Sequence, residues 1–401
     1  MKINVVGLGY IGLPTSLMLA ASGNNVVGTD VNQVLVSTLN NGKVTFEENG
    51  LLELYNQAKK SGIEFSGSLF KADMYIVTVP TPYLSETKVI DPSYIISAVE
   101  QIMTICEEDT IIVIESTVSP GTIKKYVRPL LLRSNKNVEL VHAPERILPG
   151  FMINELINNS RTIGADNEHT AETVKQIYKT FCKAEIAITD IETAEMSKVV
   201  ENTFRDINIA FANELAQICR EANLDVYEVI RIANKHPRVN ILSPGPGVGG
   251  HCISVDPWFL VGDYPNLSNL ILQARMTNDK MPRYVSSRID QIMRENSIDD
   301  FKRVGIYGLS YKENVDDVRE SPTIQLLSCN EKLSDVEIFD PFISKKIIEQ
   351  QVFNFEEFIQ NKDLVIILVG HSHIIENQSM LSGKIVYDTK NVLEKIETIR
   401  L

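Results

Sequence analysis

Residues 3–12, INVVGLGYIG, join a short run of aliphatic and β-branched residues to three glycines, Gly7, Gly9 and Gly12, and a helix-like sequence follows. Strand, GxGxxG turn and helix in that order make a dinucleotide-binding unit. The first glycine permits the tight turn, the second lets a pyrophosphate approach the backbone, and the third lets the helix pack on the strand. Backbone N–H groups at the helix start face the anion, and Tyr10 and Ile11 lie in the same turn. Asp30 closes the next apolar run, NNVVGTD (24–30). A carboxylate at that point can accept both hydroxyls of a ribose and would repel a 2′-phosphate, so NAD is the expected cofactor rather than NADP.

Outward from this unit, MYIVTVP (74–80), TIIVIES (110–116) and VELVHAP (138–144) are further strands, with helical patterns between most of them. That alternation predicts a parallel sheet with helices on both faces. Val79, Pro80 and Thr81, and likewise Ser116 and Thr117, fall at the carboxyl ends of strands, where such a sheet receives its ligand. From about Asp190 the pattern changes to a stretch without Gly or Pro, residues 192–224. A helix of about 30 residues is roughly 45 Å long, which suits a domain connector or a dimer interface. The loop SPGPGVGGHCISVDP (243–257) and more helical sequence follow, and then RVGIYGLSY (303–311), VEIFDP (336–341), DLVIILVG (363–370) and KIVYDT (384–389) resume the alternation.

The expected fold is therefore α/β: two Rossmann-like doubly wound domains joined by a central helical domain with a long connecting helix. The expected boundaries are 1–190, 191–296 and 297–401. The second α/β domain lacks GxGxxG, with Ser310 read in place of the third glycine, so a second dinucleotide site is not expected.

A chain of 401 residues exceeds the usual size of one hydrophobic core. Its net charge of -13 disfavours nucleic acid and anionic membrane as partners. No apolar run approaches the roughly 18 residues needed to span a bilayer, and the first residues do not have the pattern of a signal peptide. Five cysteines, odd in number and without a CxxC pair, fit a reducing cytoplasm. Four of them, Cys106, Cys182, Cys219 and Cys329, read as small buried hydrophobes. Cys252 instead sits in a glycine-rich loop, where a thiol can be reached and its thiolate stabilised. Lys198 and Asn202, four apart on the long helix, share one face. His371 and His373 read as solvated loop residues, and no metal site is expected.

GLGYIG with Asp30, ESTVSPGT, HAPERILPG, EMSKVVENTFRDINIAFANE, HPRVNILSPGPGVGGHCISVDPWF and GLSYKENVDDVRESP, spread from residue 7 to residue 322, resemble the UDP-glucose/GDP-mannose dehydrogenase family. The resemblance implies a four-electron oxidation of the C6 alcohol of a UDP-sugar, with two NAD consumed per sugar and a cysteine thiohemiacetal and thioester on the way. By similarity Cys252 is the nucleophile. Lys198, Asn202 and Asp256 surround the reacting oxygen, Glu145 assists thioester hydrolysis, and Thr117 positions water. The resemblance also implies that Arg146, Gly249 and Lys312 meet the nucleotide sugar and that Arg319 reaches the NAD site. Arg238 is implied to reach the sugar held by the second subunit of a homodimer. His251 adjoins the nucleophile and is read as loop packing.

The UDP-glucose branch usually has PEFLxEG where this chain has PERILPG. Arg146 and Pro149 thus point to an N-acetylhexosamine, with the manno configuration favoured; N-acetylglucosamine and glucose are the alternatives. Two rival classes remain. A single-step hydroxy-acid dehydrogenase would need no cysteine, and a non-catalytic NAD-binding protein would have no reason to keep Cys252, Lys198 and Asn202 together.

Overall fold

The computed structural model describes residues 1–134, 136–250 and 252–401. It divides into two compact units, Met1–Glu201 with Trp258–Pro265, and Asn202–Pro257 with Asn266–Leu401. His251, read above as loop packing, lies outside the described residues.

The first unit is built on eight strands: β1 (Lys2–Val6), β2 (Asn25–Thr29), β3 (Glu64–Ser66), β4 (Met74–Val77), β5 (Thr110–Ile114), β6 (Val138–His142), β7 (Arg161–Ala165) and β8 (Ile186–Thr189). Their order across the sheet is β3-β2-β1-β4-β5-β6-β7-β8. The first six strands follow the order of a dinucleotide-binding fold, with the switch point between β1 and β4. Alternate residues Ile3, Val5, Met74, Ile76, Ile111 and Val113 meet Leu13 and Leu17 of the first helix, Gly12–Ala21, in one core. Burying each such aliphatic side chain is worth about 1.5–3 kcal/mol.

One feature departs from the all-parallel expectation. β7 runs antiparallel to β6, and β8 is parallel to β7. β7 opens on a charged arginine and carries a glycine, and β8 has only four residues, which hides them from a periodicity reading. The structure explains that glycine: a Cβ on Gly164 would come within 2.6 Å of the carbonyl oxygen of Asp190 and 2.7 Å of the Ala194 side chain. A small residue lets the start of the long helix, Ile191–Glu221, pack directly on the sheet.

His142, at the end of β6, is completely buried, with Nδ1 bonded at 2.8 Å to the carbonyl of Ile114 and Nε2 without a partner among the described residues. Burial pushes the imidazole down to about 4, only partly offset by that bond. Between about 6.5 and 4 the unfolded chain therefore takes the proton and the folded one does not. Stability falls as pH drops through that window, by on the order of 3 kcal/mol in total. Urea midpoints at pH 7 and pH 4.5 should show a smaller acid loss in His142→Asn than in the parent chain.

The second unit carries β9 (Val304–Tyr307), β10 (Glu337–Phe339), β11 (Gln351–Val352), β12 (Leu364–Ile367), β13 (Ile385–Asp388) and β14 (Ile399–Arg400), in the order β11-β10-β9-β12-β13-β14 and parallel throughout. This is the same winding as the first six strands of the other unit. Val304, Ile306, Leu364 and Ile366 pack on one face with Met281, Val285 and Ile289 of the helix Asn269–Glu295. Tyr307, Val365 and Ile367 pack on the other face with Phe339 and Phe358.

The turns after β1 and β9 correspond atom for atom. Gly7 and Gly308 both have positive φ, 96° and 102°. Their N–H groups donate to Thr29 and Phe339, the last residues of β2 and β10. The following N–H groups, of Leu8 and Leu309, donate to the carboxylates of Asp30 and Asp340. Ser310 thus stands where Gly9 stands, at the second glycine and not at the third as read from sequence. The helix does not start there either; a loop runs to Pro322.

Asp340 already accepts N–H bonds from Leu309, Ser310 and Phe342 and is bonded to His371 Nε2. His371 is fully buried, contrary to its reading as a solvated residue, because its Nδ1 accepts the N–H of Asn314 and its ring stacks on Phe342. Cys329 departs in the other direction. It ends the helix Pro322–Cys329 and is exposed, whereas Cys106, Cys182 and Cys219 are buried as expected.

Candidate active site

In the first unit the three glycines do separate jobs. Gly7 adopts its left-handed conformation against the backbone of Thr78, and a Cβ on Gly12 would run into the carbonyl of Gly7 and the hydroxyl of Thr78. A Cβ on Gly9 would meet nothing within 4 Å, so that face of the turn is open to an incoming phosphate. The first helix has no side-chain cap at Ile11, which leaves its first N–H groups to an anion. Tyr10 stacks on Phe46 with ring centroids 4.4 Å apart.

Asp30 accepts N–H bonds from Leu8 at 2.7 Å and Asn32 at 2.8 Å, which fixes the carboxylate at the end of β2 with lone pairs to spare for two hydroxyls. Open turn, uncapped helix and oriented carboxylate together fit NAD. Asp30→Ala should weaken NAD binding by about 1–3 kcal/mol and narrow the preference over NADP. Titrations of both nucleotides that show no change would remove Asp30 from the cofactor site.

The loops after β4 and β5 are stapled together. Thr81 Oγ1 donates to the carbonyl of Thr117 at 2.6 Å, and Ser116 Oγ donates to the carbonyl of Val79 at 2.7 Å. Glu195 of the long helix, fully buried, accepts the N–H groups of Gly121 and Ile123 and so anchors the loop that carries Thr117. Burial pushes this carboxyl up to about 7. Glu195 escaped the sequence reading, although a glutamate on the core face of an amphipathic helix is a signal.

Glu145 is buried too. Its Oε1 accepts the N–H of Arg146 at 2.7 Å, and its Oε2 pairs with Arg161. Arg146 is engaged on every side: Nε with Glu201, Nη1 with the carbonyl and hydroxyl of Ser160, and Nη2 with Thr162 and Glu201. A guanidinium has five N–H donors, and all five are spent inside the unit. These bonds tie the 143–149 loop to β7 and the long helix.

In the second unit the loop that carries Cys252 is a tight turn on a close-packed floor. A Cβ on Gly249 would lie 2.6 Å from the carbonyl oxygen of Glu320 and 2.7 Å from Tyr311 Cβ, and one on Gly250 would lie 2.7 Å from the Tyr311 ring. Gly250 N–H donates to Arg319 at 3.0 Å, and the carbonyl of Cys252 accepts the N–H groups of Val255 and Asp256. The result is an exposed thiol on a turn held from below. Asp256 and Asn202 are both buried and joined by a 2.6 Å bond from Asn202 Nδ2 to Asp256 Oδ2.

Lys198, one turn before Asn202 on the long helix, is 6% exposed, and among the described residues its ammonium has no ion pair or hydrogen bond. Lys312 is half-buried, and Arg238 is exposed in the turn after the helix Val226–Ala233. The Arg319 guanidinium pairs with Asp317 at 2.6 Å.

The glycine turn, the uncapped helix and the oriented Asp30 are those of an NAD-dependent oxidoreductase. Three family models match in sequence order: the NAD-binding domain of the UDP-glucose/GDP-mannose dehydrogenase family at residues 1–182, its central domain at 192–280, and its UDP-binding domain at 305–395. The chain belongs to the UDP-glucose/GDP-mannose dehydrogenase family, as an NAD-dependent UDP-sugar dehydrogenase. It is 45% identical to a UDP-N-acetyl-D-mannosamine dehydrogenase of Methanococcus maripaludis, over 98% of this chain and 93% of the relative. It is 39% identical to an NDP-N-acetyl-D-galactosaminuronic acid dehydrogenase of Ralstonia nicotianae, over 97% and 96%. The solved UDP-N-acetyl-mannosamine dehydrogenase of Staphylococcus aureus superposes with a TM-score of 0.89 at 39% identity, covering 100% of this chain and 98% of that one. Among the described residues no group of side chains could hold a metal, and no helix is long and apolar enough to cross a membrane.

Proposed function

We propose that the chain oxidises the C6 hydroxymethyl group of UDP-N-acetyl-D-mannosamine to the carboxylate, with Cys252 as covalent nucleophile. The observation that carries this reading is the exposed thiol on a glycine turn, four residues before Asp256, which is bonded to Asn202 on the helix that also bears the buried Lys198. The manno N-acetyl sugar is favoured by the most similar relatives and by PERILPG at residues 144–150. In function, residues 1–190 hold NAD, 191–296 supply the nucleophile and the subunit contact, and 297–401 hold the UDP portion through Lys312 and Gly249.

NAD supplies the hydride acceptor for both oxidations. Lys198 takes the hydroxyl proton in the first, and Asn202, its amide oriented by Asp256, then helps Lys198 stabilise the oxygen of the thiohemiacetal. An aldehyde has no transferable hydride until a nucleophile adds, so Cys252 bonds to C6 and the thiohemiacetal loses the second hydride to give a thioester. Water then bonds to C6, the C–S bond breaks, and Glu145 takes the proton. Thr117 positions the water, and Arg319 acts toward the cofactor once released from Asp317.

Phe204, Phe211 and Ile218, seven residues apart on the long helix, are 66%, 55% and 57% exposed. A seven-residue spacing keeps them on one face, which a second copy of the chain would cover, with Arg238 reaching the partner's sugar. Phe211→Asp should give a monomer by light scattering; a dimer of unchanged affinity removes this face from the assembly. The function itself is tested by NADH release over UDP-sugars with an N-acetylmannosamine, N-acetylglucosamine, N-acetylgalactosamine or glucose unit. Two NADH and one acid per UDP-N-acetylmannosamine are expected, and one NADH per sugar would overturn the two-step reading.

A further inference from the structure

Three ionisable side chains from distant parts of the first unit meet beneath the candidate hydrolytic glutamate. Arg161 opens β7, Glu115 follows β5, and Glu145 follows β6. Arg161 Nη1 donates to Glu115 Oε1 at 3.1 Å, and Nη2 donates to Glu145 Oε2. The side chains of Arg161, Glu115 and Glu145 are 4%, 0% and 5% exposed. The guanidinium lies 4.4 Å from the centroid of Tyr178 and 5.3 Å from that of Phe181, and the Tyr178 hydroxyl donates to Glu115 Oε1 at 3.2 Å. Glu115 Oε2 has no partner among the described residues.

The guanidinium is seated against two rings, and two buried carboxylates share this single buried cation. A purely structural ion pair needs one of each sign; a second buried carboxylate with an unpartnered oxygen is a cost to the fold. We propose that Glu115 and Arg161 form a positioning pair for Glu145, setting how tightly that carboxylate is held and thereby the rate of thioester hydrolysis. The proposal rests on the role given to Glu145 above.

When Glu115 is protonated, Arg161 belongs to Glu145 alone and holds it away from its proton-accepting task. When Glu115 is ionised it takes a share of the guanidinium, and Glu145 is released to receive the proton of the attacking water. Burial pushes Glu115 up to about 7, against the pull of Arg161 and with the push of Glu145. The exchange thus falls near neutral pH. The charged and titratable groups that face Glu115 are Arg161, Glu145 and Tyr178. His142 on the neighbouring strand is turned to the carbonyl of Ile114.

The test separates acylation from hydrolysis. Rapid mixing of the holoenzyme with NAD and UDP-N-acetylmannosamine should give a burst of two NADH per Cys252, followed by the slower steady state. Glu115→Gln keeps an acceptor for Arg161 and Tyr178 but cannot ionise. It should keep the burst, lower the steady-state rate at pH 8 at least tenfold, accumulate the acyl group on Cys252 by mass, and lose the rise in hydrolysis rate through pH 7. Arg161→Lys, with its charge retained and its fork lost, should accumulate the same adduct.

Glu145→Gln is run beside them. If it accumulates no adduct, the role of Glu145 falls, and this inference with it. If it does accumulate adduct while folded Glu115→Gln keeps the native rate and pH profile, only the positioning pair is overturned. An equal slowing of burst and steady state in Glu115→Gln would likewise overturn it, since that marks a structural role.

Discussion

Cys252→Ser is expected to keep its fold and its affinity for NAD while turnover falls by several orders of magnitude. The side chain is exposed and the turn beneath it is built from backbone, through the carbonyl of Cys252 and the N–H groups of Val255 and Asp256. Exchange of sulfur for oxygen therefore disturbs no packing. What changes is the nucleophile: a serine hydroxyl is far less nucleophilic than a thiolate. The first hydride can still leave the alcohol, so aldehyde or an acylated serine should accumulate slowly. Iodoacetamide offers an independent check. Two cysteines are exposed, Cys252 and Cys329, so both should react, but bound UDP-sugar should protect only Cys252 in a peptide map. A serine variant that releases two NADH per UDP-sugar at nearly the native rate would show that sulfur is not the nucleophile.

Local chemistry made the cofactor half of the site readable. A GxGxxG turn needs its glycines within six residues, and Asp30 ends the very next strand, so each element lies in one short window. The long helix was legible for a similar reason, since 31 residues of helical sequence carry their own period. Long-range packing was not legible. The glycine of β7 serves a helix contact, and nothing in RTIGA reveals that the strand runs antiparallel to β6. Arg161, Glu115 and Glu145 are scattered over 46 residues and meet only because β5, β6 and β7 are neighbours in the sheet. His371 sits among polar residues in GHSH, which reads as surface, yet its ring is enclosed because Asp340, Ser310 and Asn314 supply its bonds. Arg146 is the opposite case, a residue whose difference from the UDP-glucose branch was visible while its actual partners, Glu201, Ser160 and Thr162, were not. The register of Ser310 shows the same limit. Without the bond from Gly308 to the end of β10, the second glycine of the turn cannot be told from the third.

Lys198→Met should uncouple stability from activity. The Lys198 residue is 6% exposed and has no carboxylate partner among the described residues, so the fold does not draw on its charge. Methionine has nearly the same length and shape, carries no charge and suits a helix. The variant is therefore expected to melt at the same temperature as the parent or above it. Its kcat should fall about 10²–10⁴-fold, the range for loss of a positioned proton-transfer group. Lys198→Arg should not restore the rate, since a guanidinium stays protonated and is too wide for a site shaped around an ammonium. Asn202, one turn further on, is held by Asp256 at 2.6 Å, so the amide should stay in place in both variants and the loss can be ascribed to the lysine. The two melting curves and the two rates decide the matter together. A lower melting temperature with kcat preserved would make Lys198 a structural residue, and a methionine variant within twofold of the parent rate would remove it from the chemistry.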